Sequence, residues 1–299
     1  MERKIRCIIT EQEAGMLVKD ILRRRFSLSA RQISRMKFRP DGILVNGAHV
    51  TVRHVLAAGE VLELSLESAE KGSDHLIPVK GTLDIRYEDQ DMVVINKPAG
   101  LVVHPSHGHY TDSLANILVG YYGSQGKHLV VRPVGRLDKD TSGLIIVAKH
   151  AAAAASFDRQ RQEGTLQRIY LALVEGRPDS VRGTVNVPIG RNDNSIILRQ
   201  VRPDGDRAVT DYELLKKGSE YSLVRLRLHT GRTHQIRVHM AWLGHPLLGD
   251  SLYGTEGSGG LSRAALHSAQ ISCRQPFTGE PLCFQAGSPE DMEGLIQQL

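Results

Sequence analysis

Polar side chains are concentrated in four short segments that also contain apolar runs. These segments are residues 97–105 (KPAGLVVHP), 135–149 (GRLDKDTSGLIIVAK), 168–176 (RIYLALVEG) and 230–250, which begins TGRTHQIRVH. In the second segment Asp138 lies between Arg136 and Lys139, just before an apolar run that is typical of a buried strand. A carboxylate held near a cation stays ionised, and an ionised, partly desolvated carboxylate can act as a nucleophile or a base. An Asp–Arg pair with only a structural role fits this spacing equally well.

The third segment alternates in the way that a half-buried strand does. Ile169, Leu171 and Leu173 share one face, whereas Tyr170 faces the other way. Periodicity alone favours a place in the core for Tyr170. An aromatic ring can also stack on a nucleic-acid base, so both interpretations stay open.

The fourth segment predicts a helix over residues 233–243. His234 and Arg237 lie near its N-terminal end, where unpaired N–H groups can bind an anion. A zinc site is not expected, because His234 and His239 are five residues apart rather than four and no cysteine lies near them. The H-x-E and P-C-x-x-C motifs of a zinc-dependent base deaminase are also absent from the sequence.

The elements that must position these segments alternate irregularly between strands and helices. Alternation and apolar runs predict strands at residues 92–95, 144–148, 168–174 and 221–229. Helical spacing predicts a helix capped by Asp112, with Leu114, Leu118 and Tyr121 on one face, and a second helix over 151–163 that ends at Gly164. Because regular βαβ alternation is absent, the expected fold class is α+β with a mixed or antiparallel central sheet.

The net charge of +5 is concentrated in the first forty residues. That stretch has eleven Lys or Arg against four Asp or Glu, a balance of +7, and the rest of the chain carries −2. The sequence of this N-terminal stretch predicts two short helices, at 17–26 and 30–37, followed by an Asn46-Gly47 hairpin. Such asymmetry indicates a module that binds a polyanion, although a solvated charged face is the plainer alternative. The candidate contacts are Arg23, Arg24, Arg31, Arg35 and Lys37.

Composition excludes several classes of protein. Apolar residues make up 40% of the 299, which is enough for a core without disulfide support. Three cysteines are too few and too scattered for a disulfide framework. The longest apolar runs are far shorter than the ~20 residues of a membrane-spanning helix, and residues 1–15 lack the apolar core of a secretory signal. These features indicate a soluble cytoplasmic protein, with a monomer as the default state.

The four segments resemble motifs of the RluA family of RNA pseudouridine synthases, in particular members with an N-terminal S4 RNA-binding domain. Residues 135–149 are similar to the signature around that family's catalytic aspartate. The segments INKPAGLVVHP (95–105), IYLALVEG (169–176), TGRTHQIRVH (from 230) and LSRAALHSAQ (from 261) are similar to its other motifs, in the same order. The resemblance implies an S4-like domain at 12–70, a linker at 71–80 and a catalytic domain at 81–299. Gly135 departs from the pattern, because many members have His there.

Carried over by position, the resemblance implies a role for each motif residue. Asp138 would be the catalytic aspartate, Arg237 its ion-pair partner, and Tyr170 a platform for the uracil and a candidate for proton transfer. Arg136 would help to extrude the target uridine from its stack. The implied contacts on the substrate side are Arg232, His234 and Leu266.

The same resemblance implies an isomerase that needs no cofactor and no metal, acts on structured RNA and does not associate with membranes. Ribosomal RNA of the large subunit is the leading substrate class, and transfer RNA is the second. A non-catalytic RNA-binding or ribosome-assembly factor on the same fold is the alternative of a different class. Whether Asp138 attacks the sugar or abstracts a sugar proton stays open.

Overall fold

The computed structural model describes residues 3–66, 73 and 75–299, and the predicted linker at 71–80 therefore falls partly outside the described residues. The first part, which we call the N-terminal module (residues 3–66), is built on a sheet of four strands in the order β1-β4-β2-β3. Its elements are β1 (Arg3–Ile8), α1 (Val18–Arg24), α2 (Ala30–Met36), β2 (Ile43–Val45), β3 (Ala48–His49) and β4 (Val61–Leu66).

The module has its own core, and its sequence explains its short helices. Ile21, Leu22 and Phe26 are buried, as the helical spacing of apolar residues predicts. Ser29 begins α2 by accepting a hydrogen bond from the Gln32 N–H, while the Gln32 side chain accepts from the Ser29 N–H. The sheet also contains β1, which precedes residue 12 and pairs antiparallel with β4.

The remainder of the described chain, from residue 75, forms the larger part of the molecule. Its first elements are β5 (Ile85–Glu88), β6 (Met92–Lys97), α3 (Leu114–Gly123), β7 (Arg132–Pro133), β8 (Ser142–Ala148), α4 (Ala151–Gln162), β9 (Gln167–Glu175), β10 (Arg182–Asn186), β11 (Ile189–Arg191) and β12 (Arg199–Val201). They are followed by β13 (Val209–Lys217), β14 (Tyr221–Leu228), α5 (Gln235–Trp242), β15 (Leu266–Arg274), β16 (Pro281–Gln285) and α6 (Glu290–Gln297).

A ten-stranded mixed sheet organises this larger part. Eight strands follow the order β10-β13-β14-β9-β15-β8-β6-β5, while β16 pairs with β15 and β7 pairs with β8. Strands β15 and β8 run parallel, and the other pairings are antiparallel. Helices pack against this sheet, so the fold is α+β with a mixed sheet, as the sequence predicts. No helix in the described ranges is long and apolar enough to cross a membrane.

Two details of α3 differ from the sequence prediction. Ser113 caps the helix instead of Asp112, because the Ser113 hydroxyl accepts the Asn116 N–H while the Asp112 carboxylate is bonded to the His109 ring. Tyr122 is fully buried, whereas Tyr121 is only partly buried. The Tyr122 hydroxyl donates to Glu88, which satisfies its polar end and lets its ring enter the core.

A polar junction joins the N-terminal module to the larger part. Arg3 on β1 donates two hydrogen bonds to Asp91, at 2.7 and 3.1 Å. Asp91 is also 2.9 Å from the His150 Nε2 and 2.6 Å from the Gln275 Nε2. Phe277 stacks between His150 and a ring of the module's core, Phe26. The junction therefore combines a buried charge with aromatic packing.

Asp91 should make folding sensitive to pH. Its side chain is 1% exposed. Burial opposes its charge, but hydrogen bonds from His150 and Arg3 lower its pKa to about 2. Because this value lies below the ordinary 3.8, the charged form stabilises the fold above about pH 4. That contribution, about 2 kcal/mol, is lost as the pH falls towards about 2.

Replacing Asp91 by Asn should lower the free energy of unfolding at neutral pH by about 3 kcal/mol, because Arg3 and His150 lose the charge that they share. Urea denaturation measures the effect. The difference from the wild type should shrink as the pH is lowered below about 4. Asp84→Asn is the matched control, since Asp84 pairs with Arg86 at the surface. Equal stabilities of wild type and Asp91→Asn at neutral pH would contradict this role.

Candidate active site

A cleft at one end of the mixed sheet brings together the residues that the four segments singled out. The cleft is open to solvent, and its volume, including the open part, is about 340 Å³. The loop before β8, strand β9, the start of α5 and strand β15 each contribute to its wall. The predicted site residues that line it are Asp138, Tyr170, Arg237, Arg136, Arg232, His234 and Leu266.

Two buried cations hold the loop that carries Asp138. Lys97 donates to the Lys139 carbonyl at 3.0 Å, and Arg263 donates to the Asp140 carbonyl at 3.0 Å. The Gly100 N–H also donates to the Lys139 carbonyl, at 2.9 Å. The backbone on the C-terminal side of Asp138 is therefore fixed from two directions. Neither cation was given a role by sequence analysis.

Lys97 lies at the end of β6 and has no exposed surface. Besides the Lys139 carbonyl, its ammonium donates to the carbonyls of Pro98 and Leu101, both at 2.8 Å. Burial lowers the pKa of Lys97 to about 7, against the attraction of Asp140 and Asp138. Three carbonyl acceptors satisfy all three of its donors. A lysine two residues after a run of buried apolar residues, separated from it only by Asn96, is the sequence signal for such a group.

Arg237 lies between two carboxylates. It forms a bidentate ion pair with Asp250, in which Nε donates to Oδ2 at 2.7 Å and Nη2 donates to Oδ1 at 2.6 Å. Its Nη1 is 3.9 Å from the Asp138 Oδ2. Burial works against the charge of Arg237, but the hydrogen bonds and charge of Asp250 raise its pKa. The expected proximity of Arg237 and Asp138 is present as a longer contact, and Asp250 is the closer partner.

Asp250 was not among the predicted site residues. Its side chain is fully buried, and it also accepts hydrogen bonds from the N–H groups of Leu252 and Tyr253. In the sequence it looks like a turn residue after Gly249, because Asp side chains commonly bond to nearby backbone N–H groups. A carboxylate in the same polar segment as Arg237 was the available signal.

Tyr170 points into the cleft from β9 and is 3% exposed. Its hydroxyl shares hydrogen bonds with Ser268 and Arg168, and burial raises its pKa. Arg168 lies against Gly135, where a Cβ atom would come within 2.8 Å of its Nη1. Gly135 also has φ +90°, which favours glycine. A residue with a side chain at 135 would displace the Arg168 guanidinium.

His234 and Arg232 form the side of the cleft near α5. His234 has φ +58° and precedes the helix, which begins at Gln235 rather than at the predicted residue 233. Its Nδ1 is 2.8 Å from the Tyr253 hydroxyl, and burial lowers the pKa of His234. Arg232 donates to the Arg207 carbonyl at 3.1 Å and is half exposed. Arg232 also lies 3.5 Å from the Asp206 carboxylate, so this wall offers hydrogen-bonding groups and a positive charge that is partly neutralised.

The predicted RNA contacts of the N-terminal module lie outside the cleft. Most of them are exposed on α1 and α2, and Lys37 lies over the Phe38 ring. The Arg23 carbonyl accepts a hydrogen bond from Arg159 of α4 at 2.6 Å, and the Arg23 residue is exposed. In the part of the chain that the structure describes, no group of three His, Cys, Asp or Glu side chains could hold a metal. The lack of a metal requirement stays an expectation.

Comparisons with known proteins agree with this geometry. The sequence profile of the RNA pseudouridylate synthase family matches residues 91–242, the range that contains Asp138, Tyr170 and Arg237. The chain is 42% identical to YjbO of Bacillus subtilis, an uncharacterized RNA pseudouridine synthase, over 90% of this chain and 95% of the relative. It is 41% identical to the ribosomal large subunit pseudouridine synthase D of Vibrio parahaemolyticus, over 87% and 83% of the two chains.

Comparison with solved structures indicates the same family. The human RNA pseudouridylate synthase domain containing 1 superposes with a TM-score of 0.57 at 26% identity, covering 73% of this chain and 94% of the human one. Sequence, fold and the set of residues in the cleft therefore agree. The chain belongs to the RNA pseudouridylate synthase family and is an RNA pseudouridine synthase of the RluA type.

Proposed function

We propose that Asp138 is the catalytic carboxylate and that the substrate is ribosomal RNA of the large subunit. The observation that carries the catalytic proposal is the convergence of Asp138, Arg237 and Tyr170 on one cleft. The substrate class is supported by the name of the Vibrio relative. Transfer RNA is the second candidate. A non-catalytic factor is disfavoured, because this cleft keeps a carboxylate, a cation and an aromatic hydroxyl together.

The reaction that these residues would perform is an isomerisation. The bond between the sugar C1′ and the uracil N1 breaks, the uracil turns, and a bond between C1′ and C5 forms while the C5 proton is transferred to N1. Asp138 either attacks the sugar or takes a sugar proton that is later returned. Atoms and electrons balance within the nucleotide, so we infer that no cofactor is needed. The target base must first leave its stack, which costs a few kcal/mol.

The neighbouring side chains would bind the extruded base and act on the charge of Asp138. Arg136 is exposed at the rim, where it can occupy the space that the extruded base leaves. Tyr170 provides an aromatic surface for the uracil, and such stacking contributes about 1–3 kcal/mol per base. Leu266 on β15 closes the apolar side of the pocket. Arg237, fixed by Asp250, offers its remaining Nη1 to the charge of Asp138.

The N-terminal module belongs to the proposal as the part that docks long RNA. Its assignment as an S4-like domain over residues 12–70 rests on sequence resemblance and on its exposed arginines. A cytoplasmic location completes the proposal, since ribosomal RNA is the substrate class, and a monomer is the default state. Residues 41–299 carry a net charge of −2, so the module would supply much of the non-specific attraction for RNA.

Purified wild type should form pseudouridine in large-subunit ribosomal RNA taken from cells that lack the gene, and Asp138→Asn should be at least about 10³-fold slower. Tritium release or sequencing for pseudouridine measures both. The matched control is Asp204→Asn, a surface carboxylate paired with Arg202. Modification of transfer RNA alone would overturn the substrate class, and full activity of Asp138→Asn would overturn the catalytic assignment.

Asp250→Asn should lower kcat by about 10²-fold with a smaller change in KM, because Arg237 loses its fixed position beside Asp138. Single-turnover kinetics at saturating RNA gives the rate of the chemical step. Circular dichroism and urea denaturation at the assay temperature must show that the variant is folded. A folded Asp250→Asn variant with wild-type kcat would rule out a positioning role for Asp250.

The double variant Arg23→Gln/Arg31→Gln should bind long RNA less tightly and with a weaker dependence on salt. Each lost phosphate contact removes roughly 0.7 from the slope of log K against log salt, so two contacts remove roughly 1.4. Filter binding at several salt concentrations measures the slope. Arg6→Gln is the control, because Arg6 pairs with Glu63 in the same module. An unchanged slope would show that the two arginines do not contact RNA.

A further inference from the structure

A groove next to the cleft contains a guanidinium that has no carboxylate partner among the residues that the structure describes. This sheet-end groove, of about 1110 Å³ and open to solvent, lies where β9 and β13 begin and β14 ends. Leu228 lines both the groove and the cleft. The charged groups that line the groove are Arg161, Arg168, Arg207, Arg227, Glu163 and Asp211.

Arg168 is the central residue of this groove. It is 7% exposed. Within residues 3–66, 73 and 75–299 it forms no ion pair with a carboxylate, and its bonded partner is the Tyr170 hydroxyl. Buried charges in proteins are almost always paired. A guanidinium carries five N–H donors, so most of the donors of Arg168 are unused.

The unused donors of Arg168 are not completely covered by the protein. Among the described residues, the buried side-chain nitrogens without a hydrogen-bond partner belong to other residues and none belongs to Arg168. The unbonded nitrogens of Arg168 therefore keep some exposed surface, and Arg168 lines the groove. A mostly buried guanidinium with accessible donors is strongly attractive to an anion, since a partly desolvated charge is weakly screened.

The backbone around Arg168 connects it to the substrate side of the cleft. A Cβ atom at Gly135 would come within 2.8 Å of the Arg168 Nη1, and one at Gly231 within 3.2 Å of its Nη2. Gly135 precedes Arg136, and Gly231 precedes Arg232. The two loops that present these arginines to the cleft therefore pack directly on the Arg168 guanidinium. An anion bound there would lie beside an RNA strand entering the cleft.

The other arginines of the groove extend the same surface. Arg207 is exposed and has no ion pair in the described part of the chain. Arg227 is half-buried and lies across the strand pair from Asp211, and its charge helps to lower the pKa of that carboxyl. Asp211 is bonded to His229 and Thr184, and Glu163 lies at the outer end, after α4. Further along the face that carries Arg227 and Asp211, Arg182 and Arg225 both pair with Glu213.

We propose that Arg168 binds a backbone phosphate of the RNA strand that carries the target uridine, and that the sheet-end groove receives the flanking nucleotides. This inference rests on the proposed function, since it needs RNA in the cleft. A planar guanidinium can donate two parallel hydrogen bonds to phosphate oxygens. Because Arg168 also bonds to Tyr170, the same contact would align the strand with the aromatic platform.

The test combines protein variants with RNA in which one phosphate is neutral. The RNA is a short stem–loop containing a uridine that the wild type modifies, with a methylphosphonate placed at each linkage near that uridine in turn. Binding is measured in an Asp138→Asn background, so that turnover does not interfere. One methylphosphonate should weaken binding about tenfold, and Arg168→Gln should weaken binding of unmodified RNA by a similar factor.

The two losses should not add. Arg168→Gln should bind the critical methylphosphonate RNA and the unmodified RNA equally well, whereas the control Arg182→Gln should show the full tenfold difference. Arg168→Lys, which keeps the charge but not the planar fork, should recover part of the loss. This second variant keeps the test decisive if Arg168→Gln does not fold.

Binding by the Asp138→Asn parent and by its Arg168→Gln derivative is compared. Equal sensitivity of the two proteins to every methylphosphonate would overturn the inference, and so would a parent that is insensitive to all of them. Failure of the proposed function is a separate result. An Asp138→Asn variant that modifies the stem–loop as fast as the wild type, with the predicted phosphate dependence intact, would refute the catalytic assignment and leave the phosphate site standing.

Discussion

The ion pair between Arg237 and Asp250 is the interaction on which the candidate site depends. A guanidinium this close to a catalytic carboxylate could form a direct, tight pair with it and reduce its reactivity. Here Asp250 takes two of the hydrogen bonds at 2.7 and 2.6 Å, and Asp138 is left at 3.9 Å. Because a buried pair of this geometry is strongly destabilised by loss of one partner, Arg237 has a fixed place from which its charge acts on Asp138.

The backbone of the Asp138 loop is fixed by the same kind of interaction. Lys97 and Arg263 are both buried, and each donates to a carbonyl directly after Asp138. Arg263 is itself held by Asp291 of α6, at 2.6 and 2.8 Å. Hydrogen bonds from Lys97 to three carbonyls and the ion pair of Arg263 with Asp291 offset part of the cost of burying these groups. Chain segments distant in sequence thus determine where one carboxylate lies.

The sequence predicted the elements well where one local rule was sufficient. Apolar alternation placed Tyr170 on the buried face of β9, and the mixed sheet followed from the irregular order of strands and helices. It failed where a tertiary contact decided the outcome. Asp112 looked like a helix cap but bonds to His109. The partnership of Asp91 with Arg3 joins residues 88 positions apart, which no local pattern can reveal.

The central claim is that Asp250 acts on Asp138 through Arg237. The most direct measurement is a double-mutant cycle on the single-turnover rate, with Asp250→Asn, Arg237→Gln and both together. If Asp250 acts only by holding Arg237, the double variant should be no slower than Arg237→Gln alone. Multiplicative losses in the double variant would contradict the claim, because they would mean that the two residues contribute to the reaction independently.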